Sequence, residues 1–410
     1  MSPIATTTTD QIMETVSSLP AKLSSALHMA ADTLTTPTGT GTASHATSTL
    51  RLPHFSAPLP AHKPYVLESD EGETITLVGS GSVMRYLATA KETGDQYAII
   101  HTRARPDEPV PAHFHARTHD TFLCLRGTMK VWENDQCRIL GPGDFASVPP
   151  KCVHAFQPLS PENEFIGIIS PGSWTKMFNF IGEPYTTSPT FPWNDSRPFP
   201  VPLFIEAIKA GEDVIPQREY SYPSATEMSE SENVVPQDST PYFLKADCGP
   251  KYFIASQSCS PLTLARNTNN AFALSIIAGI GSQESFPSFP KARTEKEAGP
   301  FPAGKQIKLA SHSLFRVIEG RVKFTVGATE EVVTAGESVM VPAGTGFNYL
   351  ITSAYARIYA FSGKGGGLEE VFVRLGREGV KGEVVGENED AAVSEENVEG
   401  VLKALGGEVV

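Results

Sequence analysis

Through most of this chain apolar and polar positions alternate in short runs, broken at close intervals by Gly, Pro, Asn or Asp. Glu73-Thr-Ile-Thr-Leu-Val78 alternates cleanly and Gln96–Thr102 less so, which is the period of a strand with one buried face. Thr121–Leu125 and Thr128–Trp132 flank Arg126-Gly127, the pattern of a hairpin whose glycine takes a positive φ. A further turn at Glu133-Asn-Asp leads to Cys137–Leu140, and Gly-Pro-Gly-Asp leads into Phe145–Val148. Phe165–Ser170 and Trp174–Ile181 complete the unit. Short strands at this spacing predict an antiparallel sandwich or small barrel.

The second half repeats the first. Phe315-Arg-Val-Ile-Glu-Gly-Arg-Val-Lys-Phe324 echoes Phe122-Leu-Cys-Leu-Arg-Gly-Thr-Met-Lys-Val131, and Tyr252–Ala265 loosely echoes Thr76–Ala88. Gly127 and Gly143 are 16 residues apart, as are Gly320 and Gly336, so the copies share a register offset by 193 residues. Self-similarity of this kind is best explained by duplication of one structural unit.

Between and around the copies the pattern changes. Residues 1–62 are rich in Ser, Thr and Ala and read as a flexible leader, with a weakly amphipathic helix over Gln11–Leu34 interrupted by Pro20. The first unit spans 63–200. A linker over 201–245 carries a helix at Pro202–Ala210 and an exposed polar stretch at Ser221–Thr240. The second unit spans 246–376 and closes with a strand or short helix at Glu369–Leu375. Residues 377–410 read as a solvated acidic tail with a short helix at Asn397–Leu405.

Chemistry concentrates between Pro109 and Phe156. His113 and His115 are two apart, so on a strand they point to one face. Asp120 opens the next apolar run, and His154 follows a turn and a strand ending at Pro149-Pro150. Three nitrogens and one oxygen on neighbouring strands suit one divalent transition metal: iron, copper, manganese, nickel or zinc. His119 is a rival to Asp120 for the fourth place. Applying the 193-residue offset to the four positions gives Gln306, Lys308, Ser313 and Phe347, none a credible ligand. His312 lies one residue off register and reads as a surface or hydrogen-bonded histidine. The second unit is therefore expected to be structural.

The arrangement resembles the two cupin motifs. His113-Phe-His115, Asp120 and Gly127 match the first; Gly143, Pro149 and His154 match the second. Asp107 stands where a glycine usually leads the first motif, Lys151 replaces a glycine of the second, and Asp120 replaces the usual Glu. The texture His113–Trp132, with Asn179-Phe-Ile-Gly-Glu-Pro-Tyr185, is similar to the fungal quercetin 2,3-dioxygenase group of bicupins. That resemblance implies an all-β bicupin, two tandem double-stranded β-helix (jelly-roll) barrels in one chain. It implies a metal, most readily iron or copper, on His113, His115, Asp120 and His154, with Asp120 as catalytic base. It also implies that Phe122 and Phe156, each two residues after a ligand, line an aromatic pocket.

Composition narrows the partners. A net charge of −13 argues against nucleic acid or an anionic membrane as the main partner. Five cysteines are an odd number without tight spacing, and Cys124 and Cys152, inside predicted barrel strands, read as buried thiols, which points to a reducing compartment. No apolar run approaches a membrane span, and the N-terminus lacks a secretory pattern. A mitochondrial signal is disfavoured by Asp10, Glu14 and the lack of Arg before Arg51, so the cytoplasm is expected. Together these readings predict a metal-dependent oxidoreductase, a dioxygenase consuming O2 and acting on an aromatic or polyketide-like small molecule, able to form a homodimer. The rivals are a redox-neutral cupin isomerase or cyclase and a non-catalytic ligand-binding bicupin.

Overall fold

The computed structural model describes residues 63–69, 71–185, 195–281, 301, 304–386 and 393–410. The leader over 1–62 lies outside them. Among the described residues two β-sandwich barrels follow one another, each an eight-stranded sheet facing a five-stranded sheet. In the first barrel the large sheet runs Gly182–Pro184, Thr74–Leu77, Ser82–Ala88, Ala98–Ala104, Asn163–Ser170, His119–Arg126, Phe145–Val148 and Tyr242–Leu244. Its small sheet runs Ile215–Pro216, His113–Phe114, His154–Pro158, Met129–Glu133 and Gln136–Leu140. Fold class is thus all-β, with tandem barrels as expected. Trp174–Ile181 is helical rather than extended: a 3-10 turn ending at Thr175 runs into the helix Lys176–Ile181.

The barrels exchange edge strands. Tyr65–Leu67 pairs not with the barrel that follows it but with Ser338–Met340 of the second. Tyr242–Leu244, from the linker, pairs with Phe145–Ser147 of the first. Each borrowed strand covers an edge that would otherwise present unpaired amides and carbonyls. The two large sheets then pack on each other through Leu123, Phe145, Ile166 and Ile168 on one side and Phe272, Leu274, Tyr359 and Phe361 on the other.

Two segments expected at the surface are tied into the fold, the first of them, Ser221–Thr240, staying mostly exposed along its length. The stretch read as an exposed linker is tied to the first barrel: Tyr222 Oη accepts from Ala112 N, Trp132 Nε1 donates to Pro223 O, and Arg138 reaches Thr226 and Glu232. The stretch read as a solvated tail folds back on the second barrel. Its helix Glu395–Ala404 buries Val398 and Leu402 completely, and Glu408–Val409 pairs with Ile307–Lys308. Charge on one face of that helix concealed an apolar pair four residues apart, enough to bury one stripe.

The repeat is clearer in space than in sequence, and one correspondence shifts. His154 pairs with His113 in the first barrel, and Phe347 pairs with Ile307 in the second. Lys151 N donates to His115 O, and Gly344 N to Leu309 O. The positions equivalent to His113 and His115 are therefore Ile307 and Leu309, not Gln306 and Lys308. The second copy is one residue shorter between Leu309 and Ser313 than the first between His115 and Asp120. Lys308 faces outward and pairs with Glu408 at 2.7 Å. The second barrel thus places Ile307, Leu309 and Phe347, all buried, where the first has histidines. Its interior is filled by Phe315, Phe324 and Phe347. In the first barrel His113 and Phe156 remain partly exposed.

Candidate metal centre

Each motif histidine is oriented by a backbone carbonyl at Nδ1: Pro111 O at 2.7 Å for His113, Asp213 O for His115, and Cys152 O at 3.1 Å for His154. An Nδ1–H donor to a carbonyl leaves Nε2 as the free lone pair, the tautomer a metal requires. The rings crowd together with centroids 4.3–5.1 Å apart. One donor atom from each lies within 4.8 Å of the others, and among the described residues no other group of three or more His, Cys, Asp or Glu converges so.

Asp120 joins this cluster. Its Oδ2 lies 3.2 Å from His115 Nε2 and 3.5 Å from His154 Nε2. Burial pushes its carboxyl up, but the charge and hydrogen bond of His115, followed by those of His154, outweigh that and hold it far below the usual carboxylate range. This is opposite to the upward shift that a base poised near neutrality needs. His115 is pulled down by burial and raised on balance by Asp120 and the Asp213 carbonyl. His113 is driven well down by burial and by the other two histidines. Asp120 Oδ1 is buried and has no hydrogen-bond partner among the described residues. Three imidazole nitrogens beside an incompletely satisfied carboxylate fit a divalent transition metal.

His119 does not compete. It is next to Asp120 on one strand and so points to the opposite face, between the barrels. There its Nε2 lies 2.9 Å from Ser147 Oγ, its ring stands edge-on to Phe272, and burial lowers it to about 4. His312 is also buried, with Nδ1 accepting from Ala343 N at 3.3 Å.

Phe122 and Phe156 lie together, centroids 5.2 Å apart, and Phe122 is 6.4 Å from the His154 ring. Phe165 joins them at 6.2 and 5.6 Å and had not been anticipated. Its place, directly opposite Thr102 and Cys124 in the large sheet, is a matter of register between distant strands. Trp132, near the ligands in sequence, faces the other way toward the linker. Trp174 and Asp213 carry no motif in the sequence: Trp174 stands edge-on to the His115 ring at 4.9 Å and donates from Nε1 to Asp213 O at 3.1 Å.

Two sandwich barrels in tandem, one carrying a histidine cluster on its inner face and one filled with apolar side chains, give this chain a bicupin fold. Residues 101–165 match the family model described as a cupin domain. The chain is similar to quercetin 2,3-dioxygenase of Aspergillus japonicus, 26% identical over 350 residues, covering 77% of this chain and 93% of that one. It is 34% identical over 122 residues to quercetin 2,3-dioxygenase of Bacillus subtilis (strain 168), covering 30% of this chain and 36% of the relative, about a third of its length. Among solved structures, oxalate decarboxylase from Bacillus subtilis at pH 4.6 aligns with a TM-score of 0.42 and 14% identity over 76% of this chain and 78% of that one. All five cysteines are free. Among the described residues no helix is long and apolar enough to cross a membrane.

Proposed function

We propose that this chain is a metal-dependent cupin oxidoreductase, a dioxygenase that uses O2 to cleave an aromatic or polyketide-like metabolite bearing an acidic hydroxyl. The observation that carries the reading is the convergence of His113, His115, His154 and Asp120 beside Phe122, Phe156 and Phe165. Similarity to the two quercetin 2,3-dioxygenases supports it.

His113, His115 and His154 would hold one divalent metal, iron or copper in the first instance, through Nε2. A metal held there would supply Lewis-acid polarisation of a substrate oxygen and redox chemistry toward O2. Asp120, a carboxylate of low proton affinity here, presents Oδ1 to the substrate hydroxyl as a hydrogen-bond acceptor and takes the proton only from a hydroxyl acidic enough to give it up. Phe122, Phe156 and Phe165 stack the ring system and exclude water, which strengthens every polar contact around the reacting group. The second barrel supports the first and carries no chemistry.

Metal content per chain and oxygen consumption test this together. Protein purified without chelators or a metal-binding tag should carry close to one redox-active metal, lost in His113→Ala, and should consume O2 when given a flavonol such as quercetin or a related polyphenol. Turnover without oxygen uptake would move the chain to the redox-neutral class. Folded protein that holds no metal and reloads none would overturn the catalytic reading.

A further inference from the structure

The segment joining the barrels reaches the site at Asp213, just before its strand Ile215–Pro216 pairs with His113–Phe114. Asp213 follows the helix Val201–Lys209 and is nine-tenths buried. Its carboxylate accepts from Ala116 N at 2.8 Å, Arg117 N at 2.8 Å, and Thr118 N and Oγ1, both at 3.0 Å. Three successive amides and a hydroxyl thus close on one side chain, gathering the loop between His115 and Asp120. Its carbonyl meanwhile accepts from His115 Nδ1 and Trp174 Nε1.

The second barrel supplies an internal control. Pro216 pairs with His113, and Val409 pairs with Ile307, so the two segments that follow each barrel return to equivalent strands. Counting back three residues places Gly406 opposite Asp213. A Cβ built on Gly406 would meet Ala310 at 3.3 Å, so this position abuts the corresponding loop there too. That loop is the one shorter by a residue, and its neighbour has no side chain. The extra loop residue and the aspartate occur together, in the copy with the histidines.

We propose that Asp213 is a positioning residue of the metal centre, by which the inter-barrel segment sets the approach of His115 and Asp120 to one point. The inference rests on the metal-site reading above. Its carbonyl fixes the tautomer and rotation of His115. Its carboxylate fixes the length and curl of the loop, and hence the separation of His115 from Asp120. Groups one shell removed from a metal typically change affinity by roughly 10- to 100-fold when removed.

The test uses the full chain, stripped of metal and titrated with Co(II), whose ligand-field absorption reports geometry as well as occupancy. Asp213→Asn and Asp213→Gly, the latter the residue of the second copy, should weaken Co(II) binding by roughly 10- to 100-fold and alter the absorption. Thr118→Val, which removes one of the four donors, should give a smaller change in the same direction and stands in if the Asp213 variants do not fold. Folded variants with wild-type affinity and absorption, alongside a His113→Ala that binds no Co(II), would overturn the role of Asp213 alone. Co(II) binding that is unchanged in His113→Ala would instead overturn the metal site itself, and this inference with it.

Discussion

Lys151 and Gly344 occupy the same turn in the two barrels, with φ of 72° and 73°. Each precedes the strand that carries His154 or Phe347, and each donates its amide to the strand carrying His115 or Leu309. Glycine adopts this backbone freely, whereas an L-residue in it costs about 1–2 kcal/mol. The first barrel therefore keeps the turn at a cost that the second avoids. Lys151→Gly should raise stability by about 0.5–1 kcal/mol after the entropy glycine adds to the unfolded chain. Gly344→Ala, with open space around its Cβ, should lower stability by a similar amount through the backbone alone. Urea unfolding of both variants checks the pair; equal midpoints for Lys151→Gly and wild type would show that the turn is unstrained.

His119 and Asp120 are adjacent yet serve opposite faces of one strand. His119→Gln should leave metal content at the wild-type level, because the side chain faces Ser147 and Phe272 rather than the histidine cluster. It should cost about 1–3 kcal/mol through a disturbed buried hydrogen bond and ring contact. His154→Ala should do the reverse in kind, removing metal. Metal analysis beside a thermal melt separates the two; metal lost from a folded His119→Gln would reinstate it as a ligand.

The residues that converge on the site were legible because strand geometry is periodic. Two histidines two apart must share a face, and the motif glycines fixed where the chain returns with His154. The barrel repeat was equally legible, since equal spacing of Gly127 and Gly143, and of Gly320 and Gly336, survives loss of every ligand. What escaped was set by contacts between distant stretches. A one-residue deletion between Leu309 and Ser313 is invisible to a constant offset, which is why Ile307 and Leu309 were passed over for Gln306 and Lys308. The exchange of Tyr65–Leu67 and Tyr242–Leu244 leaves no local trace, because an edge strand reads alike whichever sheet receives it. Asp213 sits 98 residues from His115, between the linker helix and the polar stretch Ser221–Thr240, where no motif marks it.

The helix Glu395–Ala404 tests the expectation that residues 377–410 are a solvated tail. Val398 and Leu402 are fully buried against the second barrel, where the helix packs on Leu368–Leu375. Leu402→Ala should therefore destabilise the protein by about 2–5 kcal/mol, the usual cost of a large-to-small change in a core. Glu399→Ala, on the exposed face, should stay within about 0.5 kcal/mol of wild type. A Leu402→Ala melt that coincides with wild type would restore the tail to solvent.

Glu369 makes the stability of the second barrel depend on pH. It lies at the start of the helix Leu368–Leu375 with no exposed surface, and burial pushes its carboxyl up to about 7 against the pull of hydrogen bonds from Gly367 N at 2.6 Å and Ser362 Oγ at 3.0 Å. In the unfolded chain a glutamate titrates near 4.3. The folded state therefore holds the proton more tightly, and its contribution is fully present below about 4.3 and lost as pH rises through about 7. Glu369→Gln keeps the shape of the neutral acid and cannot ionise. Other groups titrate across the same range, so the decisive quantity is the difference in Tm between variant and wild type, measured from pH 5 to pH 8. That difference should climb in favour of Glu369→Gln as pH rises, by roughly a few degrees. A difference constant with pH would mean that Glu369 ionises without penalty, and that its burial does not control its charge.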